Sequence, residues 1–402
     1  MRVVVVGAGL GGLAAAIAAQ RAGHEVTVYE RAPALRESGA GIGLMPNGVL
    51  ALDELGVGEQ VRTMAMAAPG PVGMRDRHGR LLLASDQDAL TSRVGAPVVI
   101  AARPWLHRLL AGALGDGVVR TGVAVLDAGG DGRLRTSAGE DRADLVVAAD
   151  GVASTIRTRL FPGHPGLDGV GELAARALVP CPAGFDARSL PAGELLDGRT
   201  GRRFGCMPMA DGNVYWYASW AGAVPADPQG WLLGAFADWH PAVPALVAAA
   251  GPDGVRVDEL VRLARPLPSL VAGRVALLGD AGHAMTPDLG QGGCQAFEDA
   301  AELGRVLTGV DAEGLAAALR RYDAVRHPRT AAMLDASTGM NRLLRLTGPA
   351  ARLRNLALRA VPARLATSVF VRQLRMPPAR ALVSTGRSPA PGTHRQGGDG
   401  GG

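Results

Sequence analysis

The first thirty residues carry the feature that most limits the fold, a valine run followed by closely spaced glycines. The segment MRVVVVGAGLGGLAAAIAAQ places Gly7, Gly9 and Gly12 in a G-x-G-x-x-G motif directly after four valines. An apolar, helix-like stretch follows, and then a second strand-like run, HEVTVYE, which ends in Glu30. This order of strand, glycine turn, helix and strand predicts the βαβ unit of a dinucleotide-binding domain.

Each part of this unit has a physical role. The first glycine permits a tight turn, the second lets the backbone approach a pyrophosphate, and the third lets the helix pack closely on the strand. Glu30, with Arg31 after it, stands where an acid accepts hydrogen bonds from an adenosine ribose. The alternative is a secretory signal, because Arg2, the apolar run and Ala16 to Ala18 imitate its three parts. The complete unit with its acidic end favours the nucleotide site.

Composition excludes several kinds of chemistry. All 42 basic residues are arginines, so a lysine Schiff base is impossible. The three cysteines, Cys181, Cys206 and Cys294, are isolated, which argues against a disulfide framework, a metal site and a redox pair. We therefore expect a reducing cytoplasm and no metal. No uninterrupted apolar run of about 20 residues occurs, so no membrane-spanning helix is expected.

The middle of the chain has a different texture from its ends. Between about residues 172 and 265, extended segments punctuated by proline replace the alanine-rich βα pattern. The runs RRFGCMPMA and NVYWYASW flank Asp211 and Gly212, which predicts a β-hairpin. One face of its second strand carries Val214, Trp216, Ala218 and Trp220, and the other carries Tyr215, Tyr217 and Ser219. This aromatic cluster is either ordinary core or the wall of a substrate pocket.

Two later stretches join the opening motif. They are ADLVVAADGVASTIRTRLF and RVALLGDAGHAMTPDLGQGGCQAFEDA, with Asp150-Gly151 in the first and Gly279-Asp280 in the second. The three together resemble the single-component FAD-dependent aromatic hydroxylases, the para-hydroxybenzoate hydroxylase-like family. The last stretch looks most like the branch with zeaxanthin epoxidase, 3-hydroxybenzoate 6-hydroxylase and FAD-dependent urate hydroxylase. The resemblance covers roughly residues 1 to 330.

The resemblance implies a residue set for tightly but non-covalently bound FAD. Its members are Gly7, Gly9, Gly12, Glu30, Arg31, Arg103, Asp150, Gly151, Arg157, Gly279, Asp280, Pro287, Gly290, Gln291, Gly292 and Gly293. In the family, the aspartate at the position of Asp150 serves both FAD and the pyridine nucleotide, and the loop from Pro287 to Gly293 lies beside the isoalloxazine. A helix beginning after that loop favours the anionic edge of a reduced flavin. Asp288 and Cys294 replace frequent asparagines without removing a backbone donor.

The implied fold is α/β. It consists of a Rossmann-type FAD-binding domain, an inserted, mostly antiparallel β-sheet substrate domain, and C-terminal helices. The FAD-binding domain is expected at residues 1–75, 97–171 and 266–335, and the substrate domain at 76–96 and 172–265. A C-terminal helical segment at 336–385 and a disordered tail at 386–402 complete the chain.

The implied activity is that of an FAD-dependent monooxygenase. NADH or NADPH, as a transient co-substrate, and O2 would hydroxylate or epoxidise a small aromatic or polyene substrate through a flavin hydroperoxide. No catalytic side chain is obligatory, and Tyr215, Tyr217 and His283 are candidates if a phenol must lose its proton. As an isolated histidine, His283 is more typical of a structural hydrogen bond.

Two alternatives stay open. A dehydrogenase or reductase of the same fold would share every cofactor motif, and a non-catalytic flavoprotein would dock through its basic tail. Flavin halogenases are disfavoured because their lysine is absent, and disulfide reductases because a second fingerprint and a cysteine pair are missing.

The positive charge is concentrated at the C-terminus. From residue 336 onward there are 11 arginines and one acid, a balance of +10, whereas the remainder carries 31 arginines and 36 acids, a balance of −5. Phe370 is the single aromatic residue there, so nucleic-acid binding is not expected. Leucines between Leu343 and Leu365 recur at roughly helical spacing among arginines, which is typical of helices docked on the protein or lying on a membrane. We expect docking.

Overall fold

The α/β fold predicted from the sequence is confirmed. The computed structural model describes residues 1–35, 39–64 and 71–375. The opening segment forms strand β1 (Arg2–Val6), helix α1 (Leu10–Arg21) and strand β2 (Glu25–Glu30), in the predicted order. Helix α1 is buried on most of its surface because it lies between the β1 sheet and a later helix.

The described residues form 18 strands and 13 α-helices. The remaining strands are β3 (Gly41–Leu44), β4 (Val72–Asp76), β5 (Leu81–Ser85), β6 (Val99–Ala102), β7 (Val119–Thr121), β8 (Val125–Ala128), β9 (Arg133–Thr136), β10 (Gly139–Arg142), β11 (Leu145–Ala148), β12 (Leu167–Pro180), β13 (Gly193–Leu196), β14 (Arg203–Pro208), β15 (Asn213–Ala221), β16 (Arg256–Leu263), β17 (Val271–Ala272) and β18 (Val275–Leu277). The remaining helices are α2 (Pro46–Glu54), α3 (Gly58–Arg62), α4 (Gln87–Val94), α5 (Arg103–Gly112), α6 (Thr155–Leu160), α7 (Pro228–Ala235), α8 (Ala242–Ala249), α9 (Asp280–His283), α10 (Gly292–Leu307), α11 (Leu315–Leu344), α12 (Gly348–Ala360) and α13 (Ala363–Leu374). A short 3-10 helix covers Pro287–Leu289.

The first large sheet is the nucleotide-binding one. Its strand order is β17-β18-β11-β1-β2-β7, and all neighbours are parallel except the edge pair β17 and β18. Helix α10 packs on α1 and α2, and the valines of β1 and β11 lie in one continuous core with them. Parallel strands buried on both faces read as near-continuous apolar runs, which is why VVVV and LVVA form them.

The second large sheet has the order β16-β12-β15-β14-β13-β4-β5. Its pairs are antiparallel except β4 with β13, and it contains the predicted hairpin as β14 and β15. The run RDRHGRLLLAS contains the end of β4, a tight turn and the whole of β5, and β4 starts at Val72. Strand β4 therefore begins a few residues before residue 76, where the expected substrate domain starts.

The aromatic residues divide between the two faces of this sheet. Phe204 stacks on Trp216 with ring centroids 5.4 Å apart, and helices α7 and α8 cover this face as a closed core. Tyr215 and Tyr217 point to the opposite face and line a cavity. Successive side chains of a strand alternate, so one face of the cluster is core and the other lines a cavity. That this cavity holds substrate stays a prediction.

The C-terminal helices are docked on the protein. Val371 and Leu374 of α13 are buried against Leu90 of α4, and Leu344 at the end of α11 packs with Leu82 and Leu196 of the second sheet. The docking surface thus consists mainly of the second sheet and α4. Among the residues that the structure describes, no helix combines the length and apolarity needed to cross a bilayer. The expected disordered tail at 386–402 and the end of the expected helical segment, 376–385, lie outside the described residues.

Two valines of α13 provide a matched test of this docking. Val371 is 3% exposed and Val369 is 61% exposed. We expect Val371→Asp to lower the free energy of unfolding by at least ~2 kcal/mol, because it removes a buried side chain and places a carboxylate in its site. Val369→Asp should change it by less than ~0.5 kcal/mol, as surface substitutions usually do. Thermal denaturation of both variants measures the difference, and equal melting temperatures would contradict the docked position.

Candidate active site

The glycines of the opening motif have two different structural roles. Gly7 has φ +98°, and a Cβ on Gly12 would lie 1.9 Å from the Gly7 carbonyl oxygen, so both glycines are required by the fold itself. A Cβ on Gly9 would meet no protein atom within 4 Å. Gly9 is also the N-cap of α1, and no side chain caps that helix end. The open space at these free amides suits a pyrophosphate.

Glu30 is fixed at the end of β2 by the backbone. Its two carboxylate oxygens accept hydrogen bonds from the amides of Ala8 and Ala32, each at 2.8 Å. Each oxygen keeps a second lone pair, so Glu30 can still accept from a ribose hydroxyl. Arg31, next to it, is exposed. His107 of α5 is buried and forms a 2.7 Å hydrogen bond with the Ala8 carbonyl, which supports the same turn.

Asp150 and Arg157 form a second part of the predicted cofactor site. Asp150 Oδ2 accepts from the Thr155 amide at 3.0 Å, whereas its Oδ1 is buried without a hydrogen-bond partner among the described residues. That unpaired oxygen suits a ligand hydroxyl. The Arg157 guanidinium is buried and donates to the carbonyls of Asp280, Ala281 and Val152. It ties this turn, which includes Gly151 at φ +82°, to the Gly279-Asp280 turn. The role of Arg157 towards a pyridine nucleotide stays a prediction.

The third part of the predicted site is the turn and loop before α10. The Gly279 amide, at φ +61°, donates to Asp299 Oδ2 at 2.9 Å, and Asp280 faces the cavity. His283 is buried, with its Nε2 2.6 Å from the same Asp299 oxygen, and it does not line the cavity. This position is that of a structural hydrogen bond, the interpretation that its isolation in the sequence favours.

Four of the predicted loop residues line the cavity, namely Pro287, Gly290, Gly292 and Gly293, and Asp288 and Leu289 line it as well. Helix α10 begins at Gly292 without a side-chain cap, so its first amides face the same space. Gln291 turns its side chain away, since its Oε1 accepts from Asn47 and Gln295 at 2.9 Å each. The loop therefore presents backbone donors and glycine surfaces, which suits the flat, partly anionic ring of a reduced flavin.

A buried ionic network lies behind this loop. Arg326 of α11 donates to Asp299 at 2.7 Å, to Glu298 at 2.5 Å and to Gln295 at 2.7 Å. Burial alone would raise the pKa of Asp299, but His283 and Arg326 outweigh it and lower that pKa to about 2. The network therefore stays ionised at neutral pH. It fixes α10 at the point where the loop enters the helix.

Arg103 stands at the other side of the cofactor space. It is the first residue of α5, and its side chain passes Gly39, where a Cβ would lie 3.0 Å from its Cδ. Burial lowers the pKa of Arg103, and the positive charges of Arg256 and Arg176 lower it further. The negative charge of Asp280 raises the same pKa. The charges of Arg103 and Asp280, both implied to hold FAD, thus interact across the site.

A cavity of about 460 Å³ joins the loop to the second sheet. Its polar end is lined by Glu194, Arg203, Tyr217, Ser219, Asp280 and Asp288. Its apolar end is lined by Val72, Leu83, Leu90, Val98, Ile100 and Phe370. The register explains the polar end, because Glu194 lies opposite Gly205 and Gly205 lies opposite Tyr217 on neighbouring strands. A Cβ on Gly205 would collide with the Tyr217 ring, so that glycine makes room for the tyrosine.

Arg203 is the centre of the polar end. Its guanidinium lies 2.5 Å from Asp288, 3.3 Å from Glu194 and 3.4 Å from Glu172, and all four side chains are largely buried. Burial would lower the pKa of Arg203, but these carboxylates outweigh it and raise that pKa. Asp288 Oδ1 takes the arginine, while its Oδ2 is buried without a partner among the described residues. Asp288, one of the residues that line the cavity, therefore has one carboxylate oxygen without a protein partner among the described residues.

The tyrosines and Glu194 are shifted towards their neutral forms. Burial, followed by the charge of Glu194, raises the pKa of Tyr217 well above its ordinary value. Burial also raises the pKa of Tyr215, and it raises that of Glu194 against the opposing charge of Arg203. Tyr215 and Tyr217 therefore keep their hydroxyl protons near neutral pH, and their role as candidate bases stays a prediction. The candidate acceptor is Asp288, which the sequence singled out only as a replacement for asparagine.

Comparison with known proteins identifies the family and the fold of the chain. The FAD binding domain family matches residues 1–337. The chain is 36% identical over 340 residues to an aurachin C monooxygenase/isomerase of Stigmatella aurantiaca, covering 82% of this chain and 86% of that one. It is 34% identical over 354 residues to an FAD-dependent urate hydroxylase of Klebsiella pneumoniae, with the same coverage. The fold matches Klebsiella pneumoniae HpxO complexed with FAD and uric acid with a TM-score of 0.83 and 29% identity, covering 93% of this chain and 96% of that one.

The two glycines of the opening turn predict opposite outcomes for substitution. Gly9→Val should fold normally, because its side chain enters open space, but should purify colourless because the same space is needed for the pyrophosphate. Gly12→Val should fail to fold, because its Cβ collides with the Gly7 carbonyl. Flavin absorbance per protein and circular dichroism of each variant measure the two effects. A yellow Gly9→Val protein would show that the pyrophosphate lies elsewhere.

Proposed function

Because the chain belongs to the FAD binding domain family and is an FAD-dependent monooxygenase, we propose that it uses NAD(P)H and O2 to insert one oxygen atom into a neutral aromatic substrate. Bound FAD supplies the redox chemistry, accepting hydride and activating O2. The observation that carries the proposal is the buried, unpartnered Oδ2 of Asp288, which lies in the cavity wall beside the loop. The residues of this chain bind, orient and shield the substrate there.

Asp288 accepts a hydrogen bond from the substrate. An O–H or N–H group on an aromatic ring donates to the unpartnered oxygen of Asp288. As its proton moves towards the carboxylate, the ring becomes more electron-rich, and electron-rich rings react most readily with activated oxygen. Arg203, 2.5 Å away, holds the Asp288 carboxylate in a fixed orientation. Tyr217, whose hydroxyl shares a hydrogen bond with Glu194, lines the same cavity.

The charges of the cavity select against carboxylate substrates. The guanidinium groups of Arg176 and Arg203 line the cavity. Arg176 already pairs with Asp258, and Arg203 already pairs with Asp288. Glu194 and Asp280 add further acids to the wall. A benzoate-type substrate would bring another negative charge into a buried site without a guanidinium to spare, which is costly.

The apolar end sets the shape of the remainder of the substrate. Val98 and Ile100 on one side and Phe370 of α13 on the other leave room for a hydrocarbon substituent or a second ring. A volume of about 460 Å³ lies in the ordinary range for small-molecule sites. Two relatives are named for aurachin C and for urate. For the present chain we propose a small aromatic compound with an apolar substituent.

The oxygen balance distinguishes a monooxygenase from a dehydrogenase of the same fold. With an accepted substrate under ¹⁸O2, we expect one labelled oxygen atom in the product for each NAD(P)H consumed in productive turnover. Mass spectrometry of the product and a spectrophotometric assay of NAD(P)H oxidation measure both quantities. Substrate oxidation without incorporated label would assign the chain to the dehydrogenases.

Asp288→Asn tests the proposed acceptor. The asparagine retains the size of the side chain but loses its negative charge, so productive turnover of a hydroxyquinoline should fall at least ~10-fold, about 1.4 kcal/mol in the barrier. The FAD content and the melting temperature should stay near those of the parent, because Glu172 and Glu194 still face Arg203.

The matched control is Asp168→Asn, which removes another carboxylate paired with an arginine on the same sheet but outside the cavity. It should leave turnover unchanged. In the parent protein, the hydroxyquinoline should bind at least ~10-fold more tightly than the same ring bearing a carboxylate, as measured from the change in flavin absorbance on binding. Tighter binding of the carboxylate would refute the proposed charge selection.

A further inference from the structure

The outer face of α12 and α13 is unusually apolar for a protein surface. Nine large apolar side chains among the described residues are exposed, and five of these lie between Leu343 and Val369. Leu353 and Leu356 of α12 are 69% and 66% exposed, and Leu365 and Val369 of α13 are 56% and 61% exposed. Exposed apolar residues are ordinary when scattered, but a cluster marks an interaction surface.

These side chains are not part of the docking surface described above. In α12 the buried residues are Ala351 and Arg354, and in α13 they include Val371 and Leu374. Leu353 and Leu356 are three residues apart and Leu365 and Val369 are four apart, so each pair shares one side of its helix. We name these four residues and the arginines beside them the α12–α13 face.

The charge of this face is uniformly positive. Exposed Arg352, Arg359, Arg364 and Arg372 flank the four apolar side chains, and the sequence from Gly348 to Leu374 contains no acid. One neighbouring acid, Asp76, lies 3.8 Å from Arg359. Residues 1–335 carry a net charge of −5, so positive charge is concentrated at the C-terminal helices. The electrostatic field of the protein therefore favours an approach of this face to an anionic partner.

We propose that the α12–α13 face binds the surface of an anionic membrane. Apolar side chains projecting between arginines are the pattern of helices that lie in the interface plane, with leucines in the acyl boundary and arginines at the headgroups. A second copy of the chain fits less well, since a two-fold interface would bring this positive face against itself. The inference does not rest on the proposed substrate, and it needs no turnover to be tested.

The position of the face relates it to the cavity. Ala366, Thr367 and Phe370, on the inner side of α13, line the apolar end of the cavity. A single helix, about 10 Å across with its side chains, therefore separates that end from the membrane contact. A bilayer on the α12–α13 face would lie next to the part of the site that accepts hydrocarbon.

Sedimentation of the yellow holoenzyme with lipid vesicles tests the proposal. At low ionic strength the protein should sediment with vesicles of phosphatidylcholine and phosphatidylglycerol but not with phosphatidylcholine alone. It should be released at about 1 M salt, where the Debye length is about 3 Å. Replacing Arg364 and Arg372 together by glutamine should weaken binding about 25-fold, about fivefold for each arginine.

Two valines of equal exposure supply the matched control. Val369 and Val224 are both 61% exposed, and Val224 lies outside the C-terminal helices. Val369→Asp should abolish sedimentation with the anionic vesicles, and Val224→Asp should leave it unchanged, although both add the same charge. Absence of sedimentation by the parent protein, equal sedimentation with neutral vesicles, or equal loss in both variants would overturn the proposal. A dimer of the parent protein in solution that Val369→Asp dissociates would assign the face to a second copy instead.

Discussion

The buried guanidinium of Arg326 is the interaction on which the active-site geometry depends. Its three nitrogens are all used, by Asp299, Glu298 and Gln295 of α10. Asp299 in turn holds the Gly279 amide, so one ion pair fixes both the turn before α9 and the helix after the loop. Removal of one partner from such a network leaves an uncompensated buried charge, which typically costs 3 to 5 kcal/mol. The loop from Pro287 to Gly293 can contain three glycines because rigid neighbours hold both its ends.

Strand alternation organises the second sheet in a comparable way. On β14 and β15, one set of side chains, including Phe204 and Trp216, packs under α7 and α8, and the alternate set, including Arg203 and Tyr217, faces the cavity. The apolar face supplies the burial that stabilises the sheet, so the opposite face can hold ionisable groups such as Glu194, Arg203 and Tyr217. A shift of one residue in register would exchange the two faces of the sheet. The packing of the apolar core therefore also fixes which side chains face the cavity.

The sequence predicted what is local and missed what is long-range. The βαβ unit, the hairpin at Asp211 and the opposite faces of β15 all follow from periods of a few residues. The ion pairs do not, because Arg203 and Asp288 are 85 positions apart and no local pattern joins them. The alternation of side chains along β14 did contain a usable signal, since it places Arg203 on the face opposite Phe204. The partners of Arg203 depend on how the loop before α10 meets the sheet.

The C-terminal helices show why docking and membrane contact are not exclusive alternatives. A helix that only docks needs one apolar stripe, and a helix that only lies on a membrane also needs one. In α13, Val371 and Leu374 form the first stripe, and Leu365 and Val369 form a second on the outer side. Leucines at roughly helical spacing could not separate these stripes in the sequence, because either assignment satisfies the same period. The fold separates the two stripes, because the rest of the protein covers Val371 and Leu374 and leaves Leu365 and Val369 exposed beside the arginines of the helix.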